Sequence, residues 1–268
     1  MASNESSKQS KQLEKYRASI EARHALRKWY QSPLGKALAE QECRVLSDVV
    51  PNVFGYHLLQ VSNHMDSSYL DDCLIRHKLI VDMDDENSSV LLNMRSDASK
   101  LAITSDSVDA VILQHTLDVD MAPHLVLREM ERILVPEGKI VVLGFNPWSS
   151  WGMRHVTNLW HGRTPWKLRF ISPSRIKDWL VLLGFEIENV ETFFFRLPLT
   201  SPFIVRKSSF LDKLGGKAWP AFGAVYVMVA KKQVSTLTPI RPRWFLRRRS
   251  GVLPGFIETI ENNVKKTS

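Results

Sequence analysis

A chain of 268 residues that is 44% hydrophobic and 24% charged is too apolar for a disordered protein and long enough for one α/β core with attached arms. Its two cysteines, Cys43 and Cys73, exclude a disulfide framework, and the lack of an apolar leader or a run of 18 apolar residues predicts a cytoplasmic protein with no transmembrane segment. The net charge of +8 is concentrated at the ends: residues 1–36 contribute +5 and residues 231–268 +7, while the middle carries −4 and has no nucleic-acid signature of its own.

Residues 1–53 read as a mobile segment followed by a helical preface. The first dozen positions hold almost nothing apolar to bury and are expected to be mobile. Helix-favouring composition then runs from Leu13 to Tyr30. Ser32-Pro33 reads as an N-cap with proline at the first helical position, opening a second helix to about Val49. In that helix Leu34, Ala37, Leu38, Val45 and Leu46 fall mostly at helical spacing.

Residues 54–232 alternate short apolar runs with helical patterns. Tyr56–Val61, Leu79–Val81, Val90–Met94, Val108–Leu113 and Lys139–Phe145 read as buried parallel strands. Between the last two, Leu127, Met130, Ile133 and Leu134 form a helical stripe that ends in the turn Pro136-Glu137-Gly138. A further helix starts at Ser172-Pro173 and ends near Leu183, with Gly184 as a left-handed cap. Two long strands, Glu186–Arg196 and Ala224–Lys231, complete a doubly wound, mostly parallel seven-stranded sheet. Residues 233–268 form a proline-punctuated basic tail in which Trp244 and Phe245 stand beside Arg247-Arg248-Arg249.

In an open α/β sheet a ligand sits beyond the carboxyl ends of the strands, so the residues after each strand are the candidate site. The block from Ala102 through Gln114-His115-Thr116-Leu117 to Arg128-Glu129-Met130-Glu131-Arg132-Ile133-Leu134-Val135-Pro136-Glu137-Gly138 resembles the small class I S-adenosylmethionine-dependent methyltransferases. Gly144-Phe145-Asn146-Pro147-Trp148-Ser149 and Val234-Ser235-Thr236-Leu237-Thr238-Pro239 are similar to a methyltransferase type 11-like bacterial family.

The resemblance implies S-adenosylmethionine as cofactor and gives the strand ends roles. Gln60, Ser62 and Asn63 stand where the family has a glycine-rich turn; here the loop is Ser62-Asn63-His64-Met65-Asp66. Asn tolerates the left-handed region and Ser is small, so the loop is compatible with a bound cofactor although the glycines that define the family's pocket are replaced. Asp82 is where the family's acidic residue accepts from the ribose hydroxyls, with Asp84 and Asp85 close by and a solvated acidic turn as the alternative. Asp97, with Ala98, matches the adenine position, or caps the following turn. Gln114 and His115 lie near the transferable methyl, where His115 serves either as an acceptor-orienting base or as a structural histidine. Asn146, Trp148 and Trp151 form the acceptor pocket or pack within an insertion with Trp160 and Trp166. No H-E-x-x-H or C-x-x-C pattern points to a metal.

Dehydrogenase and serine hydrolase chemistries lack their G-x-G-x-x-G and G-x-S-x-G turns. Two functional readings remain. One is methyl transfer to an unidentified small or macromolecular acceptor; the other is a methyltransferase scaffold that has become a binding module, contacting RNA or another anionic partner through its tail.

Overall fold

The computed structural model describes residues 2–62, 68–71, 73–82, 93–158, 168–198, 212 and 219–233. Two helices lead, α1 (Ala2–Tyr30) and α2 (Pro33–Val49). The helix predicted from Leu13 begins at Ala2, so the polar opening residues extend α1. Polarity denies these residues a buried face, but uninterrupted Lys, Gln, Glu and Ser remain compatible with a helix propagated from a packed carboxyl-terminal half. At α2 the cap is as expected: Ser32 Oγ accepts from Gly35 N at 3.1 Å and Pro33 occupies the first turn.

The sheet strands are β1 (His57–Ser62), β2 (His77–Asp82), β3 (Met94–Arg95), β4 (Val108–Gln114), β5 (Leu134–Phe145), β6 (Phe185–Phe193) and β7 (Val225–Lys232). Their order is β3-β2-β1-β4-β5-β7-β6, with β7 antiparallel to both neighbours and the other pairs parallel. Seven strands in a mostly parallel sheet are what the sequence pattern predicts. The remaining helices are α3 (Thr116–Val119), α4 (Pro123–Ile133), α5 (Ser150–Asn158) and α6 (Pro173–Leu182).

One boundary differs instructively. The expected turn at Pro136-Glu137-Gly138 lies within β5, which already pairs with β4 at Leu134↔Val108 and resumes at Lys139↔Ala110. The extra residues are absorbed in a bulge, with Glu137 at a φ of 67°. Gly184, at a φ of 86°, ends α6 in the left-handed conformation expected from its position.

Two apolar layers sandwich the sheet. On one face Leu58, Ile112, Leu143 and Phe145 pack with Leu26, Leu34, Leu38 and Leu46 of α1 and α2. On the other, Leu59, Val111, Leu113 and Val142 pack with Leu127, Met130, Ile176 and Leu180 of α4 and α6. The helical preface is therefore one full layer of the core. Neither Cys43 nor Cys73 is in a disulfide. No helix among the described residues is long and apolar enough to cross a membrane. The basic tail, from residue 234 on, lies outside the described residues, as do Trp160, Trp166, Asp84, Asp85 and the 208–214 segment apart from Asp212.

The turn joining α1 to α2 sets how this layer sits. A Cβ on Gly35 would come 2.5 Å from Trp29 O and 2.6 Å from Tyr30 Cα. Gly35→Ala is expected to push the helices apart and cost about 1–3 kcal/mol of unfolding free energy, read from the urea midpoint.

Candidate functional site

The carboxyl ends of β1, β2 and β4 are covered by α1 and α2, and a buried set of charged groups lies in that interface. Its centre is His115, directly after β4. The backbone there is left-handed, with φ 53° and ψ 15°, a conformation uncommon for a side chain bearing a Cβ. His115 N donates to Leu143 O at 3.1 Å, and Thr116 Oγ1 donates to Val61 O at 2.7 Å, so the turn is stitched to both neighbouring strands.

The imidazole is clamped between two carboxylates. Nδ1 lies 2.9 Å from Asp118 Oδ2 and Nε2 lies 3.0 Å from Glu42 Oε1. His115 is 1% exposed, and Glu42 and Asp118 have side chains that are wholly buried. Burial opposes the charged form of the ring, but the Glu42 charge and the hydrogen bonds the ring donates to Asp118 and Glu42 outweigh it and push the pKa up to about 9. At neutral pH the ring is an imidazolium donating from both nitrogens. Such a group has no lone pair with which to accept a proton. Its ring also lies 4.1 Å from that of Phe145, centroid to centroid.

Each carboxylate continues the network. Glu42 Oε1 accepts from Tyr30 Oη at 2.8 Å, and its Oε2 accepts from Gln114 Nε2 at 2.8 Å. Asp118 Oδ2 also accepts from Phe145 N at 3.0 Å. Burial raises the Asp118 pKa, with the bond from His115 opposing that rise, and burial together with Glu42 raises Tyr30 well above the usual phenol range. One buried cation thus joins α2, the turn after β4 and the end of β5.

A second buried pair lies at the end of β2. Asp82 is 1% exposed; Arg27 Nη2 donates to its Oδ2 at 2.6 Å, and Arg23 Nη1 lies 3.5 Å from its Oδ1. Arg23 and Arg27 stand one turn apart on α1, so both point to the same side of the helix. Asp82 is therefore neither a solvated acidic turn nor a carboxylate with both oxygens open to a ribose. Asp97 behaves differently. Its Oδ1 accepts from Ser99 N at 2.8 Å and Ser99 Oγ at 2.9 Å, capping the turn, while its Oδ2 accepts no hydrogen bond from a described residue. Ala98 beside it is 1% exposed.

Gln60 is 1% exposed, and among the described residues neither its Oε1 nor its Nε2 has a hydrogen-bond partner. A buried primary amide is costly to leave unsatisfied. It lies on β1 between Ile80 and Ile112, two residues before Ser62. Ser62 ends β1 and pairs with Gln114; Asn63 lies outside the described residues.

The three predicted acceptor residues do not share one open face. Asn146 is buried and staples the loop after β5 to the segment before β7, donating to Ala221 O at 2.8 Å and Gly223 O at 2.9 Å and accepting from Trp148 N at 3.1 Å. Trp151 is fully buried, donates to Arg196 O at 2.9 Å and packs against Trp29, Phe145 and Phe194. Only Trp148, 72% exposed, faces solvent.

Glu42, Arg23, Arg27 and Asp118 are absent from the sequence-based site. Glu42 had a signal: it falls on the stripe Leu34, Leu38, Leu46 at four-residue spacing, so a carboxylate there had to be buried and paired. Arg23 and Arg27, at the same spacing, had only a weak one.

The comparisons with known proteins can be set against this geometry. The methyltransferase domain family matches residues 77–142, from the start of β2 into β5. The uncharacterised protein YafS of Escherichia coli (strain K12) is 30% identical over 214 residues, covering 78% of this chain and 82% of that protein. The chain belongs to the class I S-adenosylmethionine-dependent methyltransferases. The fold agrees: a SAM-dependent methyltransferase from Thermotoga maritima superposes with a TM-score of 0.50 at 14% identity, covering 74% of this chain and 96% of that one. An S-adenosylmethionine-dependent methyltransferase from Mesorhizobium loti gives 0.50 at 15% identity, covering 70% and 96%. Within this family, the present member carries its charged network between the sheet and its amino-terminal helices.

Removing Glu42 leaves His115, Tyr30 and Gln114 without a shared acceptor, so Glu42→Ala is expected to cost about 3–5 kcal/mol in denaturant unfolding. The His115 pKa is raised in the folded state, so its stabilisation is fully present below about pH 6.5, the unfolded value, and is lost as pH rises through about 9. Thermal unfolding of wild type and His115→Gln across that window is expected to show the wild-type advantage shrinking toward high pH; a constant gap refutes an imidazolium.

Proposed function

We propose that the protein transfers a methyl group from S-adenosylmethionine to an acceptor that docks at the carboxyl end of β4 and β5. The observation that carries this reading is the buried Gln60 amide, which no described residue bonds, in the last half of β1 of a chain of this family. An unpaired buried amide fits a ligand with both donors and acceptors, which the cofactor's polar groups provide. Asp97 Oδ2 is suited to the adenine amino group with Ala98 against the ring, and Ser62 and Gln114 end the paired strands β1 and β4. Asp82 fits less directly: its contribution to a ribose runs through, or competes with, the two guanidinium groups already bonded to it.

When bound, S-adenosylmethionine supplies an electrophilic methyl: the carbon–sulfur bond breaks as an acceptor heteroatom bonds the carbon, a neutral thioether leaves, and the acceptor's proton passes to water. Positioning provides most of the rate in such a displacement. His115 contributes as a positioning group. Its charge holds α2, the β4 turn and Phe145 N in one arrangement, and the proton it carries is held too tightly for base work at neutral pH.

Calorimetric titration with S-adenosylmethionine and its demethylated product tests the reading. Binding is expected, weakened about tenfold by Gln60→Leu and by Asp97→Ala, the scale of one lost hydrogen bond to a buried polar group. No binding at millimolar ligand rejects a cofactor role. Unchanged affinity in both variants moves the cofactor away from β1 and β3.

A further inference from the structure

At the amino end of the sheet two histidines meet across neighbouring strands. His57 opens β1 and His77 opens β2, and the parallel register sets them side by side. Their Nδ1 atoms are 2.7 Å apart, with ring centroids 4.8 Å apart and ring planes at 88°. Both residues are exposed. They lie 20 positions apart in the sequence, so no short ligand motif announces the pair.

The backbone beneath the rings is fixed. Consecutive register pairs from His57↔His77 to Val61↔Val81 hold β1 to β2. On the other side Asp109 Oδ2 accepts from Tyr56 N at 2.9 Å and from His57 N at 2.8 Å, anchoring the first residue of β1 to β4. Gly55 lets the chain come this close to the carboxylate: its φ is 150°, and a Cβ there would lie 2.2 Å from Asp109 Cβ. Side chains on paired strands held in this way are presented with little freedom beyond their own rotamers.

Two imidazole nitrogens at this separation have two uses. One is a hydrogen bond between neutral rings, which at an exposed position competes with water and gains little. The other is to share a cation. Two nitrogens bound to one ion at about 2.0–2.1 Å stand about 2.9 Å apart at a right angle and about 3.3 Å apart at the tetrahedral angle. The observed distance is close to the first value and well short of the second. Histidine χ2 is soft, so the exposed rings can open by that small amount while the backbone stays in place.

The surroundings also bear on which ion fits. Among the described residues no third His, Cys, Asp or Glu joins the pair, so the closed four-ligand shell of structural zinc is not formed. A right-angled nitrogen pair with water at the remaining positions is the tetragonal arrangement of Cu(II) and Ni(II), and copper stands highest in the affinity order for such donors.

We propose that His57 and His77 bind a tetragonal divalent transition ion, Cu(II) or Ni(II), through their Nδ1 atoms. On binding, the ring that donates in the free protein carries its proton on Nε2 instead, so both lone pairs meet the ion and neither ring loses a proton. The site lies at the opposite end of β1 from Ser62, and the inference does not rest on the methyl-transfer reading.

Full-length protein is titrated with copper(II) chloride and followed by calorimetry and electron paramagnetic resonance. A tight site for one ion per chain is expected, with nitrogen hyperfine structure from two imidazoles. His57→Gln and His77→Gln are each expected to weaken that site at least about tenfold, because a chelate becomes a single ligand. Asp109 bonds the backbone of residue 57 whatever its side chain, so both variants are expected to fold, which circular dichroism checks. Nickel(II) chloride is expected to raise the melting temperature of wild type by mass action and to leave that of His57→Gln/His77→Gln unchanged. Absence of wild-type copper binding at millimolar ion overturns the proposal. So does an affinity that neither single substitution alters, because copper then sits on other histidines. Zinc(II) chloride binding more tightly than copper overturns the tetragonal assignment.

Discussion

A single buried imidazolium organises the carboxyl end of this sheet. A charge in that environment persists only when paired, and His115 is paired twice, by Glu42 from the amino-terminal layer and by Asp118 from its own turn. The pairing fixes a left-handed residue after β4, holds the Phe145 amide to Asp118 and makes α2 inseparable from the sheet. Without it, three buried polar groups on three elements lose their common partner. The strain in the turn and the closeness of the helices are both tolerated because this contact over-determines the arrangement.

The same contact distinguishes architecture from chemistry. Layer packing alone would place α1 and α2 on the sheet through Leu26, Leu34, Leu38 and Leu46, and apolar packing tolerates small slides. Directional bonds from Glu42, and from Arg23 and Arg27 to Asp82, do not. The preface is thus held in register with the strand ends where a ligand sits, and any ligand there meets a wall built by the first fifty residues as well as by the sheet.

Much of this fold was legible in the sequence because its signals are periodic and local. The buried parallel strands announce themselves as apolar runs, Ser32-Pro33 and Ser172-Pro173 mark helix starts by backbone chemistry, and Gly184 marks a stop. The extent of α1 was not legible, because helix propagation through polar residues leaves no hydrophobic pattern. The site was legible by position but not by state. That Asp82 and His115 stand at strand ends follows from strand length. That both are bonded by groups 55 and 73 residues away follows from tertiary packing, which no local pattern encodes. Trp151 and Asn146 mislead in the same way: an indole and an amide after a strand look like a pocket until Trp29, Phe194 and the carbonyls of residues 221 and 223 claim them.

The ion pair between α1 and Asp82 also constrains the order of folding. During synthesis α1 and α2 precede β2, so the Asp82 that Arg23 meets in the folded chain follows 59 residues later and His115 later still. Until β2 and β4 exist, the preface carries Glu42 on the face that must be buried, which disfavours early docking on anything apolar. The amino-terminal helices are made first and seated late, so the charges that complete the cleft also delay its closure until the strands they recognise have been made.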